Sequence, residues 1–245
     1  MNALVTGCSD GLGLAVTKNL ISRSCHVHGV SRRKPEVDSG PRFSWHQLDL
    51  NKAAQVEALL AEKFSAQDID LVLHCAGLGL GKLAIDTSSA DFDPLMRLHV
   101  FAPLQLANFF IRKAVARDRA LRLLFVSSLS AHIPFRGLLA YGASKAALEA
   151  VGRSLAKEWK PYGIRVLSIC PDYLDTAMTS ALPPEVRAQI AAGSSTGRPL
   201  EVAAVAQFIV DKAMAENFDW QGESLLLSHR LGLHSRLLEP VWQEP

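Results

Sequence analysis

Cysteine is scarce in this chain of 245 residues. The four thiols, Cys8, Cys25, Cys75 and Cys170, are scattered, and no two share a Cys-x-x-Cys spacing. That removes the sequence signature of a disulfide scaffold or a cysteine-based metal site. Each thiol sits in or beside an apolar run, so free, buried thiols in a reducing compartment are expected, and no metal. Net charge is also small: 26 basic residues against 24 acidic ones leave +2. That is too little for a surface built to grip nucleic acid or an anionic membrane. No run approaches the roughly 18 apolar residues of a membrane span. The opening MNALVTG has no basic segment and no long apolar core, so no secretory leader is expected and a cytoplasmic setting is. Neither an internal repeat nor a low-complexity linker interrupts the chain.

What the chain does have is a hydrophobic share of 49%, enough for a large core at a length that suits one α/β domain. The apolar run from Asn2 to Thr6 reads as a strand, and LAVTKNLISR after it has a helical period. Between them lies TGCSDGLG. Gly7 can take the tight turn, Gly11 lets a phosphate approach the backbone, and Gly13 permits close helix–strand packing. The free N–H groups at the following helix start suit a pyrophosphate. A second strand, His26 to Val30, runs into Ser31, Arg32, Arg33 and Lys34. In dinucleotide folds this strand end faces the adenosine ribose. An acid there would bind a 2′-hydroxyl, whereas a hydroxyl with arginine suits a 2′-phosphate. NADP(H) is therefore preferred, with NAD(H) left open.

Further strands are expected at 44–48, 70–75, 121–126, 164–169 and 224–227. Helices are expected at 52–64, 91–116, from Tyr141 to Trp159, at 184–192 and at 200–216. The alternation predicts a Rossmann-type, doubly wound parallel sheet with helices on both faces, one domain over 1–245. Asp49, Ala76 with Gly77, Ser128 and Pro171 all fall at strand carboxyl ends, where such a sheet gathers its site. Residues 173–198, rich in Thr, Ser, Pro and Gly, read as a lid. The tail 228–245 reads as a segment that packs on a partner subunit.

Tyr141 and Lys145 are four apart on a helix, so they share a face. A charged lysine there should lower the tyrosine pKa and fit it for proton transfer. Ser128, just past a buried strand, can hold a substrate oxygen. His99 lies in an apolar helical stretch, where a histidine is usually a satisfied core residue. His132, Phe135 and Leu138 are expected to approach the pocket.

These motifs resemble those of the short-chain dehydrogenase/reductase superfamily, in its single-domain branch, over nearly the whole chain. TGCSDGLG resembles its TGxxxGxG turn, HCAG at 74–77 its NNAG, Ser128 with Tyr141 and Lys145 its Ser and YxxxK, and PDYLDT at 171–176 its PGxxxT. The resemblance implies an oxidoreductase that passes hydride between a nicotinamide and a small-molecule ketone or secondary alcohol. Tyr141 would be the general acid/base, Lys145 would hold the nicotinamide ribose and tune Tyr141, and Ser128 would bind the substrate oxygen. Ser9 and Leu12 join the glycines of the turn, Asp49 and Leu50 lie beside the adenine, and Leu174 and Thr176 beside the carboxamide. His99 stands where the family has asparagine, whose backbone carbonyl serves a proton relay, and so joins the catalytic set. Asp172 replaces the usual glycine, Asp10 occupies a turn position where NADP-binding members carry a basic residue, and LLLSHRLG replaces a glycine pair. A homodimer or homotetramer is implied. A non-catalytic NADP(H)-binding module and an epimerase or dehydratase on the same scaffold are the alternatives.

Overall fold

The computed structural model describes residues 1–37, 40–193, 198–228 and 236–238. Eight strands form one sheet: β1 (Asn2–Thr6), β2 (His26–Ser31), β3 (Phe43–Gln47), β4 (Leu71–His74), β5 (Leu121–Val126), β6 (Ile164–Pro171), β7 (Gln221–Leu227) and β8 (Arg236–Leu238). Their order is β3-β2-β1-β4-β5-β6-β7-β8. The first seven are parallel, as expected. β8 pairs antiparallel with β7 and lies within the tail assigned from sequence to a partner contact. The rest of that tail beyond Ser228 lies outside the described residues.

Side chains alternate along each strand and separate two cores. Leu4 of β1 points to one face, while Ala3 and Val5 point to the other. The first face is covered by α2 (Ala53–Phe64), α4 (Ala102–Ala116) and α5 (Leu139–Trp159), through Val56, Leu60, Phe110, Leu148 and Leu155. The second is covered by α1 (Gly11–Ser22) and α8 (Val202–Met214), through Val16, Leu20, Val205 and Ile209. Burial on both faces explains the near-continuous apolar strands. Among the described residues, no helix is long and apolar enough to cross a membrane.

The sheet order reverses between β1 and β4. Loops leaving these strands therefore diverge and open a crevice at the carboxyl ends. The stretch expected as one helix over 91–116 is broken: α3 (Ser89–Met96) and α4 are joined by a π turn at Arg97–Phe101. The Ala102 N–H bonds the Arg97 carbonyl five residues back, and Pro103 has no N–H to continue the ladder. Among the described residues of the stretch expected as a lid are two short helices, α6 (Ala177–Ser180) and α7 (Pro184–Gly193).

Candidate active site

A cavity of about 510 Å³ lies in this crevice. Gly7, Ser9, Gly11, Leu12, Gly13, Ser31, Arg32, Arg33, Asp49, Leu50, Ala76, Gly77, Ser128, Tyr141, Lys145, Pro171, Leu174 and Thr176 all line it. Of the residues expected at or near the site, His99 and His132 do not. The glycine turn is shaped by close approach. Gly7 has φ +71°, and a Cβ there would meet the Ala76 backbone at 2.8 Å. One on Gly13 would lie 2.2 Å from the Gly7 carbonyl oxygen. Asp10 caps α1, its Oδ1 accepting from the Gly11 N–H at 2.7 Å. Apart from the Gly11 N–H that Asp10 takes, this turn and helix start form a cradle of backbone N–H groups, which fits a dinucleotide pyrophosphate.

The Ser31 hydroxyl is less available than its position suggested. It donates to the Arg33 carbonyl at 2.6 Å and accepts from Trp45 Nε1 at 2.9 Å and the Cys8 thiol at 3.3 Å. It fixes the arginine turn rather than reaching outward. Arg33 pairs with Asp10 across the mouth at 3.3 Å. No ion pair engages the Arg32 guanidinium among the described residues, and Arg32 is exposed.

At the other end, Tyr141 and Ser128 are joined by a side-chain hydrogen bond. Lys145 Nζ donates to the Val126 carbonyl at 2.8 Å and sits 5.8 Å from the Tyr141 ring centre. The expectation that the lysine would lower the tyrosine pKa is not met. Burial raises the phenol above its ordinary value, and the Ser128 hydrogen bond brings it only part way back. Burial likewise lowers Lys145 to about 8, against the nearby thiols of Cys75 and Cys170 and the Glu149 carboxylate. Burial sets the direction at this depth, so the phenol keeps its proton at neutral pH.

His99 is a positioning residue. The Leu78 N–H donates to its Nε2 at 3.0 Å, so Nδ1 carries the proton and donates to Ser144 Oγ at 2.8 Å. That hydroxyl donates to the Tyr141 carbonyl at 2.7 Å. The imidazole also meets the Tyr141 ring edge-on at 5.7 Å. His74 has the opposite tautomer. The Leu98 carbonyl can only accept, so Nε2 donates to it at 3.1 Å, and Nδ1 accepts from Thr6 Oγ1 at 2.9 Å. Thr6 in turn accepts from the Ala76 N–H at 3.1 Å. His74 thus takes up the carbonyl that Pro103 leaves without a partner. Both rings are fully buried and neutral. Burial, then the charge of Lys145, lowers His74 to about 3 and His99 well below its ordinary range.

These rings dictate an acid response. Each binds a proton in the unfolded chain below about pH 6.5 and refuses it in the folded one. Stability therefore falls with pH by about 1.4 kcal/mol per unit for each ring. Urea midpoints should drop between pH 7 and pH 5, and His99→Asn should flatten the slope. A midpoint indifferent to pH over that range would contradict the assignment of neutral, buried rings.

The stretch expected as a lid approaches the Gly77–Gly81 loop: a Cβ on Gly79 would touch Met178 at 3.0 Å, and one on Gly81 would meet Pro183 at 2.8 Å. Phe135, Leu138, Tyr173, Met178, Leu182 and Ile190 give this end of the cavity an apolar wall. His132, expected beside them, turns away to Glu149. Asp172 fits the usual glycine position because its backbone is not left-handed there, and its Oδ1 accepts from the Tyr173 N–H at 2.8 Å. All four cysteines are free; Cys8, Cys25 and Cys170 are buried, and Cys75 lies partly exposed in the cavity wall.

The family model for short chain dehydrogenases matches residues 1–187. A chloroplastic tropinone reductase homologue of Arabidopsis thaliana is 28% identical over 191 residues, which is 73% of this chain but 58% of that one. The 3-oxoacyl-[acyl-carrier-protein] reductase FabG of Escherichia coli is 28% identical over 203 residues, 80% of this chain and 82% of that protein. Two solved structures share the fold. A 4-hydroxyisoleucine dehydrogenase complexed with NADH superposes with a TM-score of 0.84 at 19% identity, over 93% of this chain and 96% of its own. ElxO with NADP bound superposes with a TM-score of 0.81 at 21% identity, over 92% and 96%. The chain belongs to the short-chain dehydrogenase family of oxidoreductases.

Proposed function

We propose that this chain is an NADP(H)-dependent reductase of a small ketone, or dehydrogenase of the corresponding secondary alcohol, with an apolar substrate body. The meeting of Ser128, Tyr141 and Lys145 in the same cavity as the glycine cradle carries this reading. A nicotinamide dinucleotide, when bound, supplies the hydride. The Gly7–Gly13 backbone would hold its pyrophosphate, Asp49 and Leu50 its adenine side, and Pro171, Leu174 and Thr176 its nicotinamide side. Ser128 holds the substrate oxygen by its hydroxyl. Tyr141, kept protonated by burial, donates its proton to that oxygen in reduction and takes it back in oxidation. Lys145 holds the ribose side and compensates the phenolate left behind. His99 fixes Tyr141 through Ser144. The apolar wall of Phe135, Leu138 and Ile190 favours a hydrophobic substrate portion. A homodimer or homotetramer and a cytoplasmic setting belong to the same proposal.

Cofactor choice rests on Arg32, exposed and in no ion pair among the described residues. Arg32→Ala should weaken NADPH roughly tenfold to a hundredfold, by about 1.5–3 kcal/mol, and NADH hardly at all. Fluorescence titration of both cofactors checks it. An equal loss for both would remove the 2′-phosphate role, and a ketone panel that never oxidises NADPH would remove the reductase reading.

A further inference from the structure

Behind the site floor, Glu149 lies one helical turn beyond Lys145 on α5 and is 1% exposed. Its carboxylate accepts from Ser127 Oγ at 2.5 Å, Ser224 Oγ at 2.6 Å and the Cys170 thiol at 3.3 Å. His132 Nε2 stands 3.1 and 2.9 Å from its two oxygens. The Cys170 sulfur and His132 Nε2 are 3.7 Å apart. Burial alone would favour the neutral acid, but the bonds from His132, Ser127 and Ser224 outweigh it and hold the carboxyl below its usual value. The mechanism above uses none of His132, Glu149 or Cys170.

We infer that His132, Glu149 and Cys170 form a binding site for a thiophilic divalent cation such as Zn²⁺. Among the described residues this is the one group of three whose nitrogen, oxygen and sulfur atoms all lie within 4.8 Å of one another. Its geometry is close to that of one face of a zinc tetrahedron. Bonds of about 2.0 Å to nitrogen and oxygen and about 2.3 Å to sulfur place such ligands about 3.3–3.6 Å apart. The donors here stand 3.1, 3.3 and 3.7 Å apart. Three protein ligands leave the fourth position for water. Ser224, bonded to the other carboxylate oxygen, would orient the carboxylate from outside, as supporting hydrogen bonds do at zinc sites. Entry is past His132, whose side chain is 23% exposed.

Charge balances in the bound form. Cys170 gives up its S–H proton to solvent, and the His132 ring proton sits on Nδ1 so that Nε2 can bind. Thiolate, carboxylate and a 2+ ion sum to zero, which suits a buried location. Binding also draws Glu149 away from Ser127, the neighbour of Ser128. On the oxidoreductase reading above, the cation therefore slows turnover.

Co²⁺ titration of the whole chain tests the site without reference to activity. The expected result is one equivalent bound, a thiolate-to-cobalt charge-transfer band in the near ultraviolet and the intense visible bands of a tetrahedral ion, all displaced by Zn²⁺. Cys170→Ser keeps a donor to Glu149 and should lose the charge-transfer band; His132→Gln should weaken binding at least tenfold. A wild-type spectrum without a thiolate band, or Zn²⁺ affinity unchanged in both variants, would overturn the site. In parallel, Zn²⁺ should inhibit NADPH-linked turnover of the wild type, with recovery on chelation, and spare Cys170→Ser. Turnover indifferent to Zn²⁺ in protein that shows the cobalt band would overturn the link to Ser128 alone.

Discussion

Replacing Tyr141 with phenylalanine is expected to lower kcat/KM roughly 10²–10⁴-fold and to leave NADPH affinity nearly unchanged. The ring remains to pack edge-on against His99, and the Ser144 bond to the Tyr141 backbone carbonyl is untouched. What goes is the O–H that reaches the substrate oxygen and the Ser128 hydroxyl. Losing a positioned proton donor costs about 3–5 kcal/mol of transition-state stabilisation on the same scale. Steady-state absorbance and cofactor titration on the same preparation separate the two effects. Full activity in this variant would remove Tyr141 from the chemistry. A parallel collapse of NADPH binding would recast it as a structural residue.

Gly13→Ala should be the most damaging change in the cofactor cradle. The added carbon would sit 2.2 Å from the Gly7 carbonyl oxygen and 2.8 Å from its carbon, and neither atom is on a flexible side chain. The turn must move away from β4, where Gly7 already abuts Ala76. Overpacking of this kind destabilises by about 1–3 kcal/mol, and the displaced N–H groups no longer converge. NADPH affinity should fall at least a hundredfold, with a lower urea midpoint. The control is Gly40→Ala, an exposed glycine whose Cβ meets nothing within 4 Å; it should affect neither. Wild-type cofactor affinity in Gly13→Ala would show that the turn does not carry the pyrophosphate.

Most of the site was legible in the sequence because its parts are encoded locally. Glycines with a strand before and a helix after, a Tyr and Lys one helical turn apart, and a serine at a strand end each announce their position, and the strand carboxyl ends bring them together. What was not legible depends on contacts between distant segments. The direction of the Tyr141 pKa was misjudged because burial, which a spacing cannot reveal, raises it. His132 was expected in the pocket with Phe135 and Leu138, yet Glu149, seventeen residues on, draws it behind the floor. His99 looked like a lone core histidine or a catalytic substitute. It is a satisfied neutral ring whose bonds run to Leu78 and Ser144. The Ser31 hydroxyl was assigned to a ligand, but Trp45 and Cys8 already claim it. The antiparallel β8 carries no signal against a Leu-rich tail. The π turn had one: a proline at 103 inside a helical period, which removes the N–H an unbroken helix would need.

The proposed reaction is direct hydride transfer beside Tyr141. The measurement that bears on it most closely is mass analysis of alcohol formed from a ketone substrate with NADPH carrying deuterium on the transferable face of the nicotinamide C4. The account predicts one deuterium at the carbinol carbon in wild-type product and almost no product from Tyr141→Phe. An alcohol free of deuterium, or equal yields from the two proteins, would contradict it.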